Sequence, residues 1–112
     1  MTAPPFLESH LGDAERHDVG NGIVVHRLYR SGPEPGARRA LLVRFPPGAR
    51  WPGVDVHEPG PEDLYVVSGT FRGLTGDGSV HGPGTFVHLD AGTSHSPSTE
   101  TGGDLFVYYP EG

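Results

Sequence analysis

Apolar positions along the chain fall into short runs, not long stripes. Ile23-Val24-Val25-His26-Arg27-Leu28-Tyr29 is rich in β-branched and aromatic residues and lies between Gly22 and Ser31-Gly32-Pro33, which predicts a strand. Ala40 to Phe45 predicts a second strand, closed by Pro46-Pro47-Gly48. Asp55-Val56-His57 is a short extended piece. Asp63 to Ser68 is stopped by Gly69, and Thr70-Phe71-Arg72 continues beyond that turn. Ser79-Val80-His81 is a weak strand, Thr85 to Leu89 and Ser94 to Ser96 flank the turn Asp90-Ala91-Gly92-Thr93, and Leu105 to Tyr109 is the last clear strand. No helical period of any length occurs. Short strands at about ten-residue spacing predict an all-β sandwich or barrel. Residues 1–20 are polar and mixed, although Phe6, Leu7 and Leu11 could anchor a helical turn. They read as an irregular N-terminal arm that packs on the barrel, residues 21–112, or on a partner subunit.

Composition narrows this picture. The chain has 112 residues, enough for one domain with one modest core. Its 18 Gly and 12 Pro would suggest low complexity if clustered. They are spread between the apolar runs, as tight turns require. Eight basic residues face 14 acidic ones, a formal net charge of −6, and no basic cluster exceeds Arg38-Arg39. Nucleic acid and anionic membranes are therefore not expected partners. There is no cysteine, which excludes disulfides and thiolate metal sites. Apolar stretches of about five residues are far short of the roughly 20 that span a bilayer. No signal-peptide pattern opens the chain, so a cytoplasmic location is expected.

Seven His is many for this length. Asp55-x-His57 places two metal-capable side chains on one face of a strand, because strand side chains alternate. Glu62 follows across Pro59-Gly60-Pro61, and His95 lies just past a second Gly-containing turn. Imidazole and carboxylate are ligands for divalent Fe, Mn, Zn or Ni, and two His with one carboxylate match the facial triad of non-haem iron oxygenases.

The stretch D-V-H-E-P-G-P-E-D-L-Y-V-V-S-G from Asp55 to Gly69, and G-T-F-V-H-L-D-A-G-T-S-H-S-P-S-T from Gly84 to Thr99, resemble the two cupin motifs. His57, Glu62 and Gly69 stand at the spacing of the first; Gly84, Gly92 and His95 at that of the second. The resemblance covers roughly Phe45 to Thr99. It is to small single-domain cupins, including those similar to the anti-sigma factor metal-binding domain. It implies a cupin-type double-stranded β-helix, a jelly-roll barrel holding one divalent metal between His57, Glu62 and His95. Asp55 stands where the family usually has its first His, Gly48 lies one residue too far upstream of it, Asp90 replaces the usual Pro, and Thr99 the usual Asn. Asp55 is then a fourth, oxygen ligand, a hydrogen-bonding neighbour of a ligand, a catalytic base or a turn cap. His88 is a candidate base or contact if it points into the barrel. Glu58 and Asp63 read as solvated strand-edge charges. His10, His17, His26 and His81 have no motif context. Gly76-Asp77-Gly78 lacks the Lys-Ser/Thr pair and following helix of a phosphate loop and reads as a hairpin turn. Trp51, Tyr65, Phe71, Phe86, Phe106 and Tyr108 are expected to fill the barrel and in part line a substrate pocket.

These expectations support a metal-dependent cupin acting on a small organic molecule. An oxygenase-type reaction on a chelating carbonyl or phenolic substrate leads, because chelation displaces water and makes the bound enol attackable by O2. Metal-dependent isomerase, cyclase or lyase chemistry is an alternative, as is a non-catalytic metal or small-molecule sensor or sugar-binding module; a metal-free structural cupin comes third. The irregular arm carries no helical segment that could embrace a sigma factor. A homodimer is expected, because the strand Ile23 to Tyr29 would otherwise leave an open edge.

Overall fold

The computed structural model describes residues 6–53, 55, 56 and 60–111, with only the backbone for 55 and 56. Its elements are a 3-10 turn, Leu11–Asp13, and eight strands: β1 Glu15–Gly20, β2 Ile23–Arg30, β3 Arg39–Phe45, β4 Asp55–Val56, β5 Glu62–Gly69, β6 Phe86–Leu89, β7 Ser94–His95 and β8 Gly103–Tyr109. Six form an antiparallel sheet in the order β1-β2-β3-β8-β5-β6, and β4 pairs with β7. Bridges Arg50↔Ser98, Arg72↔Ser98 and Phe71↔His81 extend the smaller layer. Among the described residues no helix is long and apolar enough to cross a membrane.

Alternation decides which side chains enter the core. Leu41, Val43 and Phe45 of β3, Leu64 and Val66 of β5, and Leu105 and Val107 of β8 are buried on one face. Phe71 and Leu74, between β5 and β6, are almost completely buried. The Phe71 ring meets that of Phe45 edge-on, with centroids 5.1 Å apart. Edge-to-face geometry adds about 0.5–1.5 kcal/mol to what burial supplies. On the other face of the large sheet, register sets Leu42, Phe106, Tyr65 and Phe86 in one row across four strands.

The irregular arm ends earlier than expected. Glu15–Gly20 is a strand that folds back on β2 through Asn21, whose φ is +56°. Arg27 donates to Glu15 across this pair, and the bond holds the Glu15 carboxyl below its ordinary pKa. The strand escapes detection because its residues are mostly exposed, so the sequence E-R-H-D-V-G carries no apolar alternation. It also corrects the edge argument: Ile23 to Tyr29 is flanked by β1 and β3, and is not an open edge.

Candidate functional site

Glu62 opens β5 with the inward parity of Leu64 and Val66, which buries its carboxylate. His95 ends β7 and is buried too. Each side chain is 4% exposed, and His95 Nε2 lies 3.2 Å from Glu62 Oε2. Burying a carboxylate this deeply is costly unless it is paired. The Tyr109 hydroxyl, from the neighbouring β8, donates to Glu62 Oε1 at 3.4 Å. The guanidinium of Arg39 stacks 4.6 Å above the Tyr109 ring. Around the pair stand Val43, Phe45, Trp51, Leu64, Pro97, Leu105 and Val107, enclosing about 30 Å³. That is the share of one water molecule or ion. An imidazole and a carboxylate in so apolar a recess interact more strongly than they would in water.

The spacing suits a shared ion. Two donors about 2.1 Å from one metal stand about 3.0 Å apart at a right angle and about 3.4 Å apart at the tetrahedral angle. The 3.2 Å between Nε2 and Oε2 falls between these. An imidazole and a carboxylate are also suitable donors for Fe, Mn, Zn or Ni. Glu62 and His95 supply two donors, and among the described residues no group of three or more His, Cys, Asp or Glu is placed to hold a metal ion. His57, the third expected ligand, lies outside the described residues, as does Glu58. Asp55 is described by its backbone alone, which pairs in register with His95.

Of the expected pocket aromatics, Trp51 lines the recess. Phe71 is core, packed edge-on against Phe45, and does not line the recess. Tyr65 and Phe86 are 44% and 62% exposed on the outer face, and Phe106 shares their row. Tyr108 pairs with Asp63 and Ala40 in the next outer row. These four are corrections: they do not line the recess, because their parity opposes that of Glu62, Leu105 and Val107. The error was one of phase. Asp104-Leu105-Phe106-Val107-Tyr108-Tyr109 is apolar on both faces, so alternation cannot say which set turns inward. The register fixes it: Asp63 opposes Tyr108, which sets the next residue of β8, Tyr109, beside Glu62. Tyr109 and Arg39 are thus site neighbours that the sequence left unmarked.

His88 faces outward as well, so the condition for its candidate role as a base or contact inside the barrel is not met. Its Nδ1 lies 2.6 Å from Asp63 Oδ1 and its Nε2 3.0 Å from Asp90 Oδ1. The hydrogen bonds to Asp63, then to Asp90, raise its pKa above the ordinary value. Asp90, which stands at the family's usual Pro, thus holds His88 and also closes the turn by accepting from Thr93 N–H at 3.0 Å. Thr99, at the family's usual Asn, donates to Thr70 O at 2.6 Å and accepts from Gly102 N–H at 3.0 Å. Both substitutions leave turn and support roles filled. Gly76-Asp77-Gly78 is a turn: Asp77 Oδ1 accepts from Thr75 Oγ1 at 2.7 Å and from Ser79 N–H at 2.9 Å.

A profile of the ChrR cupin-like domain matches residues 8–110. The chain belongs to the ChrR cupin-like family. Comparison with curated proteins found no match. Among solved structures, this cupin resembles an RmlC-like cupin from Shewanella frigidimarina, with 25% identity over 96% of this chain and 90% of that one, TM-score 0.74. It also resembles the anti-sigma factor ChrR of Rhodobacter sphaeroides, solved in complex with SigE. Identity there is 25% over 89% of this chain but 50% of that one, TM-score 0.69. An acetylacetone dioxygenase from Acinetobacter johnsonii shares the fold at 16% identity, covering 97% of this chain and 75% of that one, TM-score 0.74. The fold is the cupin jelly roll.

Proposed function

We propose that this cupin holds one divalent metal ion between His57, Glu62 and His95, and that a small chelating organic molecule meets the metal there. The observation that carries this reading is the buried Glu62–His95 pair, two complementary donors 3.2 Å apart in an apolar recess. The spacing of His57 from Glu62 in the first cupin motif supports the third ligand. Asp55, in register with His95, is suited to stand beside the ion as a ligand or base. A bound divalent metal would act as a Lewis acid and electron conduit toward a coordinated carbonyl or phenolic oxygen. The chain's own part is to exclude water with Trp51, Phe45 and Val107, and to steady the Glu62 carboxylate through Tyr109. Oxygenase-type chemistry on such a chelate leads. Isomerase or cyclase chemistry needs the same centre with a metal that does not change oxidation state.

A second reading is a non-catalytic metal or small-molecule sensor. The recess of about 30 Å³ favours it, because an organic substrate needs more room than the ion alone. Membership of the ChrR cupin-like family supports it too.

Elemental analysis of protein purified without chelator separates these readings from a metal-free cupin. About one equivalent of divalent metal per chain is expected, lost in His95→Ala and Glu62→Gln. Full metal retention in His95→Ala would overturn the ligand set, and absence of metal in wild type would overturn the metal centre. Oxygen uptake with diketones and aryl ketones then distinguishes an iron oxygenase from a sensor.

A further inference from the structure

The smaller sheet has a second face, turned away from the metal recess. Arg50, Ser98 and Arg72 are directly opposite one another on three adjacent chain segments. Directly opposed residues project from the same face of a sheet. Ser98 exchanges both backbone hydrogen bonds with Arg72, at 2.8 and 2.9 Å. With Arg50 it forms a non-hydrogen-bonded pair, since the bonds there run from Trp51 N–H to Pro97 O and from Thr99 N–H to Ala49 O. Such pairs have Cα separations of about 5.5 and about 4.5 Å. The two arginines therefore flank the Ser98 hydroxyl from backbones about 10 Å apart. With Thr70 and Glu100 they line a groove of about 340 Å³.

Most other cations in this acidic protein are occupied. Arg16, Arg27 and Arg44 pair with Asp18, Glu15 and Asp104, Arg30 holds backbone carbonyls, and Arg39 stacks on Tyr109. Arg50 and Arg72 have no carboxylate within 4.0 Å among the described residues; Arg72 donates to Gly78 O at a long 3.4 Å. Glu100 lines the same groove without pairing to either, leaving two guanidinium groups against one carboxylate. Arginine forks suit carboxylate and phosphate oxygens, and a serine hydroxyl adds a donor between them.

We propose that this groove binds a small doubly charged oxyanion, a phosphate group or a dicarboxylate, between Arg50 and Arg72 over Ser98. The site lies back to back with the metal recess. Trp51 and Pro97, the immediate neighbours of Arg50 and Ser98, line the recess from the opposite face of the same segments. An anion drawing Arg50 and Ser98 together therefore moves the wall of the recess.

Trp51 is the only tryptophan and reports on both faces. Titration with inorganic phosphate, and separately with succinate, at constant ionic strength should change its fluorescence saturably, at about millimolar concentration. Arg50→Gln and Arg72→Gln should each weaken binding about tenfold or more, and Glu100→Gln should tighten it. Tighter phosphate assigns a compact dianion; tighter succinate assigns an extended one. His95→Ala should still bind the anion saturably, which separates this site from the metal centre. A linear response reproduced by chloride would overturn the proposal. So would unchanged affinity in the Arg50→Gln/Arg72→Gln double variant shown folded by circular dichroism.

Discussion

At His88 both ring nitrogens face carboxylates, one from β5 and one from the turn after β6. A ring bridging Asp63 and Asp90 binds its proton more tightly folded than unfolded, so the folded pKa lies above the ordinary 6.5. The stability this contributes is complete below about pH 6.5 and is lost as pH rises through the raised folded value. The stability difference between wild type and His88→Gln should therefore be largest near pH 6 and shrink toward pH 9, read from urea midpoints. A pH-independent difference would show that the ring acts as a neutral hydrogen-bonding group. The cluster was not legible in the sequence: His88 and Asp63 lie 25 residues apart, and only the β5–β6 register makes them neighbours. Tyr109 belongs to the same scale. Tyr109→Phe keeps the ring under Arg39 but removes the hydroxyl from Glu62. It should lower metal affinity by about tenfold with little change in fold stability, as for other groups that steady a ligand. Competition with a chromophoric chelator measures this.

At the scale of elements, the turns are set by close backbone approach. Gly69, the last residue of β5, has φ +75°, and a Cβ there would lie 1.9 Å from Gly102 O and 2.8 Å from Gly103 Cα. A methyl group therefore meets both a left-handed conformation and the backbone that leads into β8. Gly48 has a similar φ, +79°, but nothing within 4 Å of the added atom. Gly69→Ala should cost more than about 3 kcal/mol, whereas Gly48→Ala should cost only the left-handed penalty of about 1–2 kcal/mol. Gly76→Ala, with open space and no positive φ, should be neutral or slightly stabilising. Thermal unfolding of the three variants tests the order, and equal effects at positions 69 and 48 would refute the close approach. The motif glycine was legible from its spacing after Glu62. Its reason, the carbonyl of Gly102, was not, because that contact spans 33 residues. The strands with mixed apolar and β-branched residues were legible in the same way. β1 was not: an edge strand with only Val19 packed on the core has no apolar alternation to show.

At the scale of the whole molecule, β1 covers the edge from which association was expected, so a homodimer needs another surface. The outer face of β5 and β6 offers one, with Tyr65, Val67 and Phe86 44%, 47% and 62% exposed. Neighbouring exposed apolar groups of this size favour burial against a partner. Sedimentation should show a dimer that Phe86→Glu converts to monomer without unfolding; a wild-type monomer at all concentrations would leave this face as ordinary surface. An all-β chain, its turns and most of its strands follow from alternation and turn chemistry, which are local properties, and the meeting of Glu62 with His95 was implied by the resemblance to the two cupin motifs. Which face of β8 turns inward, that Tyr109 and not Tyr108 reaches Glu62, that His88 faces solvent, and that Arg50 and Arg72 meet across Ser98 emerge only once the chain is folded. Each of these depends on register between segments far apart in the chain, and register is set by the packed core as a whole.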